Sequence, residues 1–180
     1  MSRIWLSTLA VVWMSAGMSG AASNHIVTIF WSGSGAFETT AIASAGVAKA
    51  TCTLNSTTVE IACTARVHNI VGLTAGHMHL GGPGASGPVV FGISGLPTGS
   101  SDDFTHSWTW TESDLTLRAG QGVLKMADAF ESCASGNCYL NFHTSADPGG
   151  AIRINMCPQG DAEDRFANGI YLINVCAPGR

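Results

Sequence analysis

Val59-Glu60-Ile61-Ala62-Cys63-Thr64-Ala65-Arg66-Val67-His68 is the cleanest alternation of apolar and polar residues in the chain. Successive side chains of a strand point to opposite faces. Val59, Ile61, Cys63, Ala65 and Val67 therefore share one face, and Glu60, Ala62, Thr64, Arg66 and His68 the other. A period of two sustained this long specifies a half-buried strand. Just upstream, Ala48, Ala50, Cys52 and Leu54 share one face of a second extended stretch, and Asn55-Ser56-Thr57-Thr58 turns the chain. An antiparallel hairpin centred on that turn sets residues 52 and 63 opposite each other, which predicts a Cys52–Cys63 disulfide.

Working outward, the same grammar repeats. His25-Ile26-Val27-Thr28-Ile29-Phe30-Trp31 is a β-rich start. Val89 to Ile93 reads as a buried strand after the Gly/Pro-rich loop 81–88. Phe104-Thr105-His106-Ser107-Trp108-Thr109-Trp110-Thr111 alternates strictly, with His106 on the aromatic face. Residues 139–144 and 151–156 read as strands joined by the turn Ala146-Asp147-Pro148-Gly149-Gly150, and 171–175 closes the chain. The one helix is expected over 122–130, with Gly136 beyond its end. Many short strands with Gly-rich turns predict an all-β fold, an antiparallel Greek-key-like β-sandwich with one short helix, stapled by disulfides.

The 180 residues divide into an expected secretory signal over 1–22 and a single domain over 23–180. The signal reading rests on Arg3, the apolar run that follows it, and small residues ending in Gly20-Ala21-Ala22. That run is shorter than the roughly 18 residues a membrane span needs, and no later run reaches that length, so no span is expected. Eight Lys and Arg against twelve Asp and Glu, with no basic cluster, argue against nucleic acid as a partner. The six Cys fit an oxidising compartment, extracellular or periplasmic. Spacing suggests local pairs, Cys133 with Cys138 and then Cys157 with Cys176, out of the fifteen connectivities that six Cys allow. Zinc binding by the Cys is the rival, disfavoured because no Cys-x-x-Cys occurs. Asn55-Ser56-Thr57 is a glycosylation sequon at the hairpin tip.

The chemistry concentrates in Gly76-His77-Met78-His79-Leu80 and Cys138-Tyr139-Leu140-Asn141-Phe142-His143-Thr144. In a strand, His77 and His79 at i and i+2 share a face, opposite Met78 and Leu80. Leu140 and Phe142 point inward, and Tyr139, Asn141 and His143 the other way. Three imidazoles on polar strand faces form a candidate site for copper, with zinc as second choice. The competing reading is that these His only hydrogen-bond to backbone. His106 is a candidate fourth ligand or simply an aromatic-face His. Arg153 is a candidate guide for a small anion such as superoxide, or a plain surface cation, or a buried partner of Asp147. His25 would reach the amino terminus only after an unfavourable cleavage at Asn24.

Taken with Gly87-Pro88-Val89-Val90-Phe91 and with Tyr139 to Arg153, these blocks resemble the CHRD domain, named from chordin. The resemblance covers about residues 26–157. Trp110 to Leu115 is similar to an intervening segment of the family, and Phe37-Glu38 resembles the position of an early Glu. Two departures stand out: Ala151 replaces the family's Glu, and Ile154 its following Gly. The resemblance implies a secreted β-sandwich. The His-x-His pair with a distant His also resembles the copper site of copper,zinc superoxide dismutases, though their zinc cluster has no counterpart. Two functions are therefore carried forward. One is a secreted copper protein with superoxide dismutase-like redox activity. The other is a metal-free extracellular binding or structural module. Hydrolase chemistry is disfavoured because no Gly-x-Ser-x-Gly elbow occurs.

Overall fold

The computed structural model describes residues 26–55, 58–99, 103–155, 157–158 and 173–174. The signal reading, His25, residues 56 and 57 of the sequon and the proposed partner Cys176 lie outside them. Eight strands form one antiparallel sheet: β1 (Ile26–Ser34), β2 (Val47–Asn55), β3 (Glu60–His68), β4 (Leu73–Leu80), β5 (Val89–Gly92), β6 (Phe104–Trp110), β7 (Cys138–Thr144) and β8 (Ile152–Asn155). Among the described residues one α-helix, α1 (Met126–Ala134), precedes β7. The order across the sheet is β5-β4-β7-β8-β1-β2-β3-β6. Two short strands, β9 (Cys157–Pro158) and β10 (Ile173–Asn174), pair separately.

The sheet curls until its two edges meet. Trp110 Nε1 on β6 donates to the carbonyl of Gly92 on β5 at 2.6 Å, and the rings of Phe91 and Trp110 stack at 4.8 Å. The order β3-β6-β5-β4 around this seam is a Greek key. The result is a nearly closed barrel in which β5-β4-β7-β8 and β1-β2-β3-β6 enclose one core, the expected sandwich with its rims drawn together. Both local disulfides form. Cys52 and Cys63 are direct partners in the β2–β3 register, and Cys133 joins the end of α1 to Cys138 at the start of β7.

Two expectations shift. The helix begins at Met126, not at 122. Gly122 takes a left-handed φ of 76° and closes a 3-10 turn, and the Asp128 carboxylate accepts from the N–H groups of Leu124 and Lys125, which fixes the start of α1. Val59 is not the first inward residue of β3. It sits in the turn at φ 54° and is 41% exposed. From Ile61 on, the expected face holds: Ile61, Cys63, Ala65 and Val67 are all buried.

β7 and β8 depart from half-burial. Every residue of both strands is buried, including Asn141, His143, Arg153 and Asn155. Their inner face feeds the core through Leu140, Phe142, Ile152 and Ile154. Chain segments pack over their outer, polar face, and that covered face holds the site.

Candidate metal centre

The three imidazoles come together because β4 and β7 keep their two-residue period through them. Met78, between His77 and His79, is 1% exposed in the core. The β4–β7 register pairs His77 with Asn141 and Ala75 with His143, so His143 lies diagonal to His77 on the same face. The ring centroids of His143 and His79 are 4.9 and 5.7 Å from that of His77, and 6.1 Å from each other. One ring nitrogen from each His lies within 4.8 Å of the others. Among the described residues, no carboxylate or thiolate joins the cluster.

Backbone carbonyls fix which nitrogens are bare. A carbonyl only accepts, so a ring nitrogen facing one carries the proton. His79 Nδ1 donates to Gly87 O at 2.9 Å, and His143 Nδ1 donates to Pro148 O at 3.0 Å. Both rings therefore present Nε2 as a lone pair. His143 Nε2 lies 3.0 Å from His77 Nδ1. His79 Nε2 is buried with no hydrogen-bond partner.

This arrangement fits a metal ion. Two nitrogens bound at about 2.0–2.1 Å with angles of about 90–110° stand roughly 2.9–3.4 Å apart. The His77–His143 pair already has that spacing. A carbonyl behind a ligating imidazole is the usual way its orientation and tautomer are held. Ligation also needs neutral rings. Burial pushes the pKa of all three His below the usual imidazole value. For His77 the neighbouring His143 adds to that, and for His79 and His143 the backbone carbonyls oppose it.

A layered support stands beside the rings. Tyr139 stacks on His79 at 4.8 Å with planes 9° apart, and the Arg153 guanidinium lies 3.5 Å from the Tyr139 ring centroid. Arg153 is 1% exposed. It donates from Nη2 to the carbonyls of Gly82 (2.9 Å) and Ala85 (2.8 Å), and from Nε to Asn155 Oδ1 (2.6 Å). These bonds tie loop 81–88 down over the sheet. The same loop returns through Gly87, whose N–H donates to the Tyr139 hydroxyl at 3.3 Å.

The sequence expectations sort accordingly. His77, His79 and His143 converge. His106 does not join them: its Nε2 bonds the Ser94 carbonyl at 2.7 Å and its ring stacks on Trp108. Arg153, expected as an anion guide or a partner of Asp147, is buried, with Nε held by Asn155 and Nη2 by the carbonyls of Gly82 and Ala85, and among the described residues it forms no ion pair with Asp147. His68 pairs with Asp103.

Sequence reasoning gave no site role to Tyr139 or to the carbonyls of Gly87 and Pro148, and marked Glu38 only through the family resemblance. Tyr139 carried a signal, since it shares parity with His143. The carbonyls carried none. Glu38 has a pKa raised to about 7 by burial, with Asp147 adding to the rise and Arg153 and Asn141 opposing it. Glu38 Oε1 and Asn141 Oδ1 are both buried acceptors without a donor.

Comparison with known proteins adds one finding: the CHRD domain matches residues 31–154. No curated protein and no solved structure matches the chain.

Proposed function

The chain belongs to the CHRD-domain family, and from that premise we propose that it is an exported domain in which His77, His79 and His143 hold one transition-metal ion, copper first and zinc second. The observation that carries this reading is His79 Nε2, a buried lone pair with no partner, on a ring whose other nitrogen is held by Gly87. An orphaned buried acceptor costs about 1–3 kcal/mol, and an ion placed between the three rings removes that cost. Three imidazoles, with no carboxylate among the described residues, suit copper and zinc alike, and the divalent affinity order puts copper first. Two disulfides and the family support an extracellular setting. Among the described residues no helix is long and apolar enough to cross a membrane.

When bound, copper would supply one-electron chemistry, and three protein ligands leave a position for a small oxidant. Superoxide disproportionation is the redox activity we propose to assay. The residues of the chain orient the rings, keep them neutral and cover the site.

The test is metal retention by protein purified without a metal-affinity tag. After loading with Cu(II) and desalting, elemental mass spectrometry should find close to one copper per chain. His79→Ala and His143→Ala should each lose most of it. Equal retention by the wild type and both variants would overturn the reading.

A second reading has its own support. The 3.0 Å His77–His143 contact is also a sound hydrogen bond between neutral rings. In that reading the domain is a metal-free extracellular binding or structural module, and the same substitutions change stability alone.

A further inference from the structure

The outer face of the other half of the sheet carries a feature the metal centre does not use. Lys49 on β2 and Arg66 on β3 are direct cross-strand partners, and Val47 and His68 are the next pair on that face. Like charges directly opposite on a sheet repel. Lys49 and Arg66 are two of only eight Lys and Arg in an acidic chain, yet neither forms an ion pair among the described residues. The nearby Asp103 makes no direct ion pair with Arg66: one oxygen meets His68 and the other accepts from Asn69 N–H at 2.9 Å, so Arg66 feels its charge only at longer range.

The two cations border a cavity of about 350 Å³, lined also by Gly33, Ser34, Phe37 and Val47. That volume lies at the lower end of the range for small-molecule sites. Val47 is 44% exposed, and Phe37 is half-buried at the end of the turn that follows β1. The Ser34 hydroxyl already accepts from Ala36 N–H, which leaves its own proton to donate. The Lys49–Arg66 row is therefore the cationic end of the cavity, and the next row holds Val47 with Ser34 beside Phe37.

We infer that this corner of β1, β2 and β3 binds a small apolar carboxylate, its head group between Lys49 and Arg66 and its body against Phe37 and Val47. An anion relieves the like-charge contact, and Arg can take a carboxylate with two parallel hydrogen bonds. The apolar wall separates this ligand from a simple inorganic anion. The inference is independent of the metal reading, because none of these residues belongs to the His cluster.

The test uses 1-naphthoate, with neutral 1-naphthalenemethanol and inorganic phosphate as controls, followed by nitrogen-15 chemical shifts of the whole chain. The expected result is saturable naphthoate binding at least tenfold tighter than either control, with shifts centred on residues 33–37, 47–49 and 66–68. Lys49→Glu should weaken naphthoate at least tenfold. It should also raise the melting temperature, because it converts a repulsive cross-strand pair into an attractive one. Phe37→Ala should weaken naphthoate but leave phosphate unaffected. Naphthalenemethanol binding as well as naphthoate would overturn the role of the cations. Phosphate binding as well as naphthoate would overturn the apolar wall. Saturation with shifts elsewhere, or no saturation at millimolar naphthoate, would overturn the site.

Discussion

The carbonyl oxygen of Gly87 lies 2.9 Å from Nδ1 of His79, and this contact puts the proton on Nδ1 and leaves Nε2 bare and buried, on a ring whose centroid is 5.7 Å from that of His77 and 6.1 Å from that of His143. Gly87 is glycine for a steric reason: a Cβ there would sit 1.7 Å from the Leu80 carbonyl oxygen. Gly87→Ala must therefore push the loop away from β4 and take the carbonyl with it. Loss of such a support typically costs 10–100-fold in metal affinity. Copper affinity measured against a chromophoric chelator should fall by that order, and the metal-free melting temperature should fall too. A lower melting temperature with unchanged copper affinity would mean that the Gly87 contact does not prepare the ring.

The two disulfides should differ in weight. Cys52–Cys63 spans 11 residues and Cys133–Cys138 spans five. In the loop-entropy account, these closures contribute about 2.8 and about 2 kcal/mol. Replacing both Cys of a pair by Ala should lower unfolding free energy in urea by those amounts, more for Cys52/Cys63. The reverse order would place the α1–β7 staple at the centre of stability.

What the chain disclosed in advance was its parity. Alternation through Ile61 to Val67 named the inward face of β3, and alternation around Met78 and Phe142 named the three His that converge. What it withheld was cover. Arg153 sits at an outward position of β8, and such a position normally meets water. It is buried because Gly82 and Ala85, some seventy residues earlier, fold over it and accept its protons. No local pattern encodes a contact between a carbonyl and a side chain so distant in sequence. The shifted start of α1 has a similar origin, in the left-handed φ of Gly122 and the acceptor of Asp128. Propensity read the segment as helical and misplaced its first residue.

Tyr139 should tolerate loss of its hydroxyl better than loss of its ring. Tyr139→Phe removes one 3.3 Å acceptor for Gly87 N–H and should cost about 0.5–1.5 kcal/mol. Tyr139→Leu removes the stack on His79 and the face under Arg153, and should cost about 2–4 kcal/mol. Urea unfolding of both variants checks the order. Equal costs would shift the weight of this layer from the ring to the hydroxyl.

Glu38 should make the metal-free domain weaker at alkaline pH. Its folded pKa is about 7 against an ordinary value of 4.5, first because burial disfavours the charge. Below about 4.5 the carboxyl is protonated in both states, and its contribution is fully present. Between the two values the unfolded chain ionises while the folded one keeps its proton, so stability falls as pH rises toward 7 and levels off above it. The nominal shift corresponds to about 3 kcal/mol; partial solvent access reduces the expected loss to about 1–2 kcal/mol. Glu38 and Asn141 crowd the space that Gly150 leaves, since a Cβ there would lie 2.5 Å from Glu38 Oε1 and 2.6 Å from Asn141 Oδ1. Glu38→Gln keeps the shape and removes the titrating group. It should raise stability by about 1–2 kcal/mol at pH 8 and leave it nearly unchanged at pH 4.5, as read by urea unfolding at both pH values. A variant equally stabilised at both would remove the carboxyl proton from this account.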